Sequence, residues 1–182
     1  MHFPFTCAVV LIFTLTVLPV AAGDWAIDVV PSDSGKENKV IYIHYPFSVV
    51  LTNLTDHDLT LWKEWCSWGY FNLSFELTGK DGKVVKVSKA GRGWTRNGPA
   101  PYVVAPGKPF VLNVTFKSQD WEGTENLNGP MTLKVIYKNS NEAFSGKKPN
   151  PQNQIQDDMQ KLIHSAWVGQ VESEPMQVTM VR

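Results

Sequence analysis

The chain has few cysteines and no excess of either charge, and each feature excludes a class of protein. Its 182 residues include two cysteines, which is too few for a fold held together by several disulfides. Lys and Arg number 17, as do Asp and Glu. This balance argues against a nucleic-acid-binding protein, whose basic surface normally dominates the composition. The 12 prolines and 13 glycines are spread along the chain, so it is neither collagen-like nor of low complexity.

The common catalytic and metal-binding motifs are also missing. There is no Gly-x-Ser-x-Gly motif, no zinc-type spacing, and no His or Met directly after Cys66 to complete a copper site. A thiol dyad would need Cys66 beside one of three scattered histidines: His44, His57 and His164. We expect no metal, no cofactor and no enzymatic activity. The remaining candidates for paired-carboxylate catalysis are interpreted as solvated surface: Asp120, Glu122 and Glu125 near Trp121, and Asp157 with Asp158.

The N-terminal segment has the features of a secretory leader. None of the first 23 residues is Lys, Arg, Asp or Glu, and the apolar run over 8–18 is about half the length of a bilayer span. Pro19 and the small residues up to Gly23 fit a signal-peptidase site. The sequence therefore predicts a signal peptide over 1–23 and a secreted or extracytoplasmic protein without a membrane span. An uncleaved anchor is the alternative.

Cleavage of this leader would remove Cys7 and leave Cys66 as the single cysteine. No disulfide could then form within the mature chain, so the apolar core must stabilise the fold alone. Cys66 lies among Trp62, Trp65, Trp68 and Tyr70, and this apolar setting favours burial over availability to a partner.

From residue 47 onward the dominant hydrophobic period is two. Short alternating segments follow one another, separated by turn residues such as Asp81-Gly82. The pattern predicts an all-β fold, an antiparallel β-sandwich of about eight strands over residues 24–182 that forms a single domain. The predicted core consists of inward-facing strand positions: Phe47, Val49, Leu51, Leu73, Phe75, Leu77, Leu112, Val114, Leu133, Val135 and Val178.

One late segment breaks the period of two. Residues 139–165 are largely polar, and Asn150-Pro151 is a good helix start, followed by apolar residues at helical spacing. We therefore expect a short amphipathic helix, about residues 151–164, within an insertion between two strands.

The order of segments resembles the immunoglobulin/fibronectin-III class of β-sandwiches found in uncharacterised secreted bacterial proteins. The resembling segments are 46–53, the hairpin through Asp81-Gly82, 104–107, 129–137 and 167–175, with Trp65-Cys66-Ser67-Trp68-Gly69-Tyr70 similar to a segment of those proteins. The resemblance implies a fold and an extracytoplasmic location but no activity, because this fold hosts unrelated functions. The intersheet disulfide of antibody domains is missing.

Two features are candidates for binding. Trp62, Trp65 and Trp68 are closely spaced, and Trp62 is expected to face outward if Leu59 and Leu61 face the core. The alternative is that these rings close one end of the sandwich. The second feature is a basic segment over 79–96 with a single acid, Asp81, and the basic residues Lys80, Lys83, Lys86, Lys89, Arg92 and Arg96.

Trp94 lies between the two arginines of this basic segment. The segment is interpreted as a binding loop, with Arg92, Trp94 and Arg96 as contact residues. Its lysines would otherwise serve only to protect a sheet edge from aggregation.

These features favour a secreted, non-catalytic binding or adhesion module that recognises a protein or cell-surface component through loops at one end. A carbohydrate-binding module that uses Trp62, Trp65 or Trp68 on a polysaccharide is one alternative. An inhibitor that presents loop 90–101 to an extracellular protease is another. Three sequons also make glycosylation sterically possible, with Asn72 and Asn113 expected on the solvent face and Asn53 in a turn.

Overall fold

The computed structural model describes residues 23–34, 39–94, 98–140 and 154–182, and its strands lie in three sheets. The predicted leader up to residue 22 and the candidate Arg96 lie outside the described residues. In chain order the elements are β1 Trp25–Val30, β2 Asp33–Ser34, β3 Lys39–Tyr42, β4 Phe47–Asn53, β5 Leu59–Trp62, α1 Ser67–Tyr70, β6 Leu73–Gly79, β7 Val84–Lys89, β8 Pro101–Val104, β9 Pro109–Val114, β10 Trp121–Glu122, β11 Gly129–Asn139, α2 Gln154–Ser165, β12 Gly169–Glu172 and β13 Met176–Val181.

The smaller of the two faces of the sandwich is a three-stranded antiparallel sheet in the order β1-β4-β9. Val49 at the centre of β4 lies opposite Val29 on one side and Leu112 on the other. Every second residue of β4 is buried, from Phe47 to Asn53. This alternation is what one buried face of a pleated strand requires.

The opposing face is a larger sheet in the order β10-β7-β6-β11-β13-β3-β2, with β12 also paired to β11. Its pairs are antiparallel except for β3, which runs parallel to β13. The β6–β7 hairpin turns at Gly82, whose φ of +76° suits glycine. The Asp81 carboxylate accepts a hydrogen bond from the backbone N–H of Lys83 at 3.0 Å and fixes this turn.

The core lies between these two sheets. The rings of Phe47 on β4, Phe75 on β6 and Phe116 after β9 contact one another edge to face, with centroids 5.1 to 5.8 Å apart. Trp121 completes the aromatic cluster at 5.4 Å from Phe75. Every core position predicted from the sequence is buried, at no more than 4% exposure.

A short ribbon, β5–β8, and helix α2 close one end of the sandwich. Leu61 of β5 packs into the main core, whereas the adjacent Trp62 belongs to a second apolar cluster. This second cluster consists of Trp62, Cys66, Ala100, Ile163 and Ala166, with Leu162 and Trp68 packed against it. The helix predicted near 151–164 is present as α2, Gln154–Ser165, with its predicted start outside the described residues, and its C-terminal part covers the outer side of β5.

The predicted all-β class with one short helix in a late insertion is confirmed, although the strands are more numerous than about eight. The additional ones are β1 to β3 and the two-residue β10, which come from parts of the chain outside the predicted strands. Within the described ranges, no helix is long and apolar enough to cross a membrane.

Candidate functional site

The three clustered tryptophans do not form an open aromatic platform. Trp62 is 1% exposed, so the prediction that it faces outward is wrong. Its ring lies 6.3 Å from that of Trp68, which is half-buried against the same second cluster. Helix α2 covers the side of β5 that strand alternation alone would leave to solvent, so both faces of this strand are buried. Only Trp65 is open, at 65% exposure.

The segment after β5 forms a single helical turn, α1, that depends on a glycine. The backbone N–H groups of Gly69 and Tyr70 donate to the carbonyl of Cys66 at 3.1 and 2.9 Å. A Cβ atom on Gly69 would lie 2.4 Å from the carbonyl oxygen of Lys63. The close approach of α1 to the end of β5 therefore requires glycine, and it places Tyr70 beside the chain that leaves β7.

Cys66 is buried, as expected from its aromatic neighbours. Its thiol donates to the carbonyl oxygen of Lys63, with Sγ 3.1 Å from that oxygen. The three histidines considered as thiol partners are all exposed: His44, His57 and His164. Cys66 thus packs as a small apolar residue in the second cluster.

Four residues at the same end form what we call the aromatic–arginine surface: the exposed Phe71 and Arg92, the half-exposed Trp94, and the buried Tyr70 that contacts all three. The ring of Tyr70 meets that of Trp94 edge to face, with centroids 5.4 Å apart. The exposed guanidinium of Arg92 lies 5.1 Å from the Trp94 centroid and 5.7 Å from the Tyr70 centroid. Phe71 extends the surface and is 52% exposed.

The lysines of the basic segment differ in how much charge they present. Lys89 is largely buried, pairs with Glu64 at 3.3 Å and lies 4.1 Å from the Trp121 ring centroid. Lys86 lies 3.7 Å from Glu76 across the β6–β7 pair. Arg92 has no carboxylate within ion-pair distance among the described residues, so its cation is open to an external anion.

The electrostatics around Tyr70 keep its hydroxyl neutral. Burial raises the pKa of Tyr70, and the carboxylates of Asp120 and Glu64 raise it further, against a lowering by Arg92. The same carboxylates lower the local positive potential, so the exposed guanidinium of Arg92 lies among charges of both signs. Such a surface favours a ligand that presents an acidic group next to an apolar or planar part.

The three sequons lie in different environments. Asn113 is exposed on β9, as predicted, and its side-chain oxygen accepts from the Ser48 hydroxyl at 3.0 Å. Asn53 is the last residue of β4 and is fully buried, so its placement in a turn is wrong. The inward alternation of β4 simply continues to this residue.

The prediction that Asn72 faces solvent is also wrong. Asn72 is 8% exposed and lies in a bend just before β6, so the alternation of that strand does not apply to it. Its amide donates to the Tyr137 hydroxyl and to the Asn139 side-chain oxygen, both at 3.4 Å. Burial raises the pKa of Tyr137, which remains a neutral member of this polar cluster.

The acidic candidates do not gather into one site. Glu122 and Glu125 are exposed, and Asp120 is half-exposed near Tyr70. Asp158 on α2 lies 3.8 Å from Lys161, and the side chain of Asp157 lies outside the described residues. In the part of the chain that the structure covers, no three His, Cys, Asp or Glu side chains are close enough together to hold a metal ion.

The fold and site define a β-sandwich with an arginine stacked on aromatic rings at one end. Comparison with protein-family profiles and with curated protein sequences finds no match for this chain.

Proposed function

We propose that this chain is a secreted, non-catalytic binding module of the immunoglobulin/fibronectin-III kind. Its ligand is a protein or cell-surface component with an acidic group, which docks on the aromatic–arginine surface. The observation that carries the proposal is the exposed guanidinium of Arg92, which is held over two rings and left without a carboxylate partner among the described residues.

The chemistry of arginine supports this choice of ligand. A guanidinium stacked on aromatic faces loses little additional side-chain entropy when it binds. Its N–H groups can still donate two parallel hydrogen bonds to a carboxylate, sulfate or phosphate. Trp94 and Phe71 then offer planar area to the apolar part of the ligand, and Trp and Arg are common among residues that dominate binding energy.

The alternative functions have less support. A polysaccharide platform of Trp62, Trp65 and Trp68 would need three accessible rings, and only Trp65 is exposed. The inhibitor hypothesis depends on loop 90–101, of which residues 95–97, including Arg96, lie outside the described chain. No contact in the described part of that loop favours a protease over another protein.

The proposal is tested by binding of purified residues 24–182 to acidic probes on an array of sulfated polysaccharides, uronic-acid polysaccharides and Asp/Glu-rich peptides. We expect Arg92→Ala to weaken binding about tenfold, which corresponds to about 1.4 kcal/mol. Arg92→Lys retains the charge but loses the planar stacking, so we expect a smaller decrease.

Lys83→Ala is the matched control, because it removes one exposed positive charge from the hairpin of the same basic segment. An equal loss in Lys83→Ala and Arg92→Ala would indicate attraction by general charge and would contradict a defined site. Binding that survives Arg92→Ala and Trp94→Ala unchanged would also reject the proposal.

A further inference from the structure

An open cavity lies at the other edge of the large sheet, where β2 and β3 meet the loop before β4. Its volume is about 480 Å³, and its walls are Ser32, Asp33, Tyr42, Tyr45 and Pro46. The cavity is open to solvent and has room for a side chain or a small molecule. The cavity is remote from Arg92, which follows β7 near the opposite edge of the same sheet.

Two tyrosines form adjoining walls of this cavity. Their ring centroids are 5.8 Å apart and the ring planes are inclined at 74°. The backbone N–H of Tyr45 donates to the carbonyl of Tyr42 at 3.1 Å and closes the turn between them. Ile41 and Ile43 on either side of Tyr42 are buried in the core, so the turn rests on a packed base. The rings are thus presented on a rigid turn, and Tyr45 remains 65% exposed.

The only charged wall of this cavity is the carboxylate of Asp33. No ion pair of Asp33 occurs among the described residues. Lys39, which faces Ser34 across the β2–β3 pair, points elsewhere, since its Nζ lies 3.2 Å from the Met176 sulfur, and Lys36 lies outside the described residues. The cavity therefore carries a negative charge that no described side chain neutralises.

A second polar group in the cavity also lacks a partner. The hydroxyl oxygen of Ser32 is buried, and it makes no hydrogen bond within the described chain. A buried polar atom without a partner is unfavourable. Rotation of the Ser32 side chain towards the cavity would let this oxygen accept an N–H group from a ligand.

From these groups we infer that the cavity binds an organic cation, either an alkylammonium or a guanidinium group. The cation lies against the face of a tyrosine ring, an arrangement favoured by the ring quadrupole. Asp33 supplies the counter-charge, and the Ser32 hydroxyl accepts an N–H hydrogen bond, where the cation has one, once its side chain rotates towards the cavity. The same chemistry is available from a lysine or arginine side chain of a peptide and from a free small cation.

The test is an NMR titration of ¹⁵N-labelled residues 24–182 with three probes: tetramethylammonium, Nα-acetyl-lysine amide and Nα-acetyl-arginine amide. We expect the backbone amide chemical shifts of Tyr42, Tyr45 and Asp33 to change and to saturate as the probe concentration rises. Tighter binding of the blocked amino acids would identify a peptide side chain as the ligand, and tighter binding of tetramethylammonium would identify a free cation. Methyl glucoside serves as the neutral probe.

Variants separate the contributions of ring and charge. Tyr45→Ala should weaken binding about tenfold, whereas Tyr45→Phe should stay within about twofold because the ring face remains. Asp33→Asn should weaken binding up to about fivefold and reduce its salt dependence. Asp58→Asn, which alters another exposed carboxylate, should leave binding unchanged.

The inference is overturned by any of three results: no saturable shift with any cation, equal affinities of Tyr45→Ala and wild type, or binding of methyl glucoside in place of the cations. Arg92→Ala should leave this titration unchanged. Failure of the aromatic–arginine surface and failure of this cavity are therefore distinguishable.

Discussion

Asn53 is the buried polar residue on which the connections at one end of the sandwich converge. Its side-chain amide donates to the carbonyls of His57 and Val104 at 2.8 and 2.9 Å. Its side-chain oxygen accepts from the backbone N–H and the hydroxyl of Thr55 at 2.9 and 2.7 Å. One side chain thereby joins β4 to the loop before β5 and to the end of β8.

We expect Asn53→Ala to lower the free energy of unfolding by about 3 kcal/mol, because several buried groups lose their hydrogen-bond partner together. Urea denaturation measures this change. The matched variant is Asn113→Ala, an exposed sequon asparagine with one hydrogen bond, for which we expect less than about 0.5 kcal/mol. Similar losses in the two variants would contradict the role given to Asn53.

Glu172 is expected to contribute to stability in a pH-dependent way. Hydrogen bonds from Lys134 and then from Gln170 lower the pKa of Glu172 below its usual 4.5. A lowered folded-state pKa means that the stabilisation is present above about pH 4.5 and is lost as pH falls through the lowered value. The stability difference between wild type and Glu172→Gln should therefore shrink towards zero in unfolding measurements from pH 7 to pH 3.

Glu174→Gln is the control for this pH series, because Glu174 is exposed two residues further along and has no ion pair within the described chain. The wild-type advantage over Glu172→Gln should be small even at pH 7, since the pair is partly solvated. An advantage that persists undiminished at pH 3 would show that Lys134 and Gln170 are not its source.

The sequence predicted side-chain burial correctly where one face of a strand packs on the core and the other faces solvent. It predicted exposure wrongly where another element covers the second face. The alternating core positions, such as Phe75 and Leu133, follow directly from a period of two. The prediction that Trp62 faces solvent failed because helix α2, about 100 residues later, lies over the outer side of its strand. The prediction that Asn72 faces solvent failed because the alternation of β6 was extended across the bend before that strand.

At the scale of elements, the packing of turn α1 contributes to stability and also positions Tyr70 in the proposed binding site. Gly69→Ala would place a methyl group 2.4 Å from the Lys63 carbonyl oxygen, so the turn must move. We expect a loss of roughly 2 kcal/mol in the free energy of unfolding, measured by urea denaturation, and weaker binding of acidic probes, because Tyr70 moves with the turn. Gly91→Ala is the control, since no heavy atom lies within 4 Å of its added methyl group. Unchanged stability in Gly69→Ala would contradict this packing.

Helix α2 stabilises the end of the sandwich through the second cluster. Ile163 is 5% exposed in this cluster, so Ile163→Ala should cost about 2 kcal/mol or more and shift tryptophan emission to longer wavelength as Trp62 becomes hydrated. Lys161→Ala removes an exposed pair with Asp158 and should change neither stability nor emission appreciably. Emission unchanged in Ile163→Ala would mean that the helix does not shield Trp62.

The elements differed in how well the sequence pattern predicted them. Long alternating strands and the late helix were predictable from local pattern, whereas the predicted Asn150-Pro151 helix start lies outside the described residues. Strand β3 was missed because it pairs in parallel with β13, which lies at the other end of the chain, so no local hairpin pattern marks it. Turn α1 was missed because four residues show no helical period.

At the scale of the whole molecule, the large sheet separates two candidate sites of opposite character. The aromatic–arginine surface follows β7 and presents a cation, whereas the cavity beside β3 presents the Asp33 carboxylate. Neither site was fully visible in the sequence. Arg92 and Trp94 were found as a basic and aromatic pair, but their contacts with Tyr70 depend on the packing of α1 against β5. The cavity brings together residues from β2, β3 and the following turn.

The central claim is that this sandwich binds an acidic ligand through the aromatic–arginine surface. The most direct measurement compares the binding of wild type, Arg92→Ala and Lys83→Ala to the same array of sulfated and uronic-acid polysaccharides and acidic peptides. We predict binding by wild type that Lys83→Ala retains and Arg92→Ala loses by about tenfold. Equal binding by all three proteins, or no binding of wild type to any acidic probe, would contradict the claim.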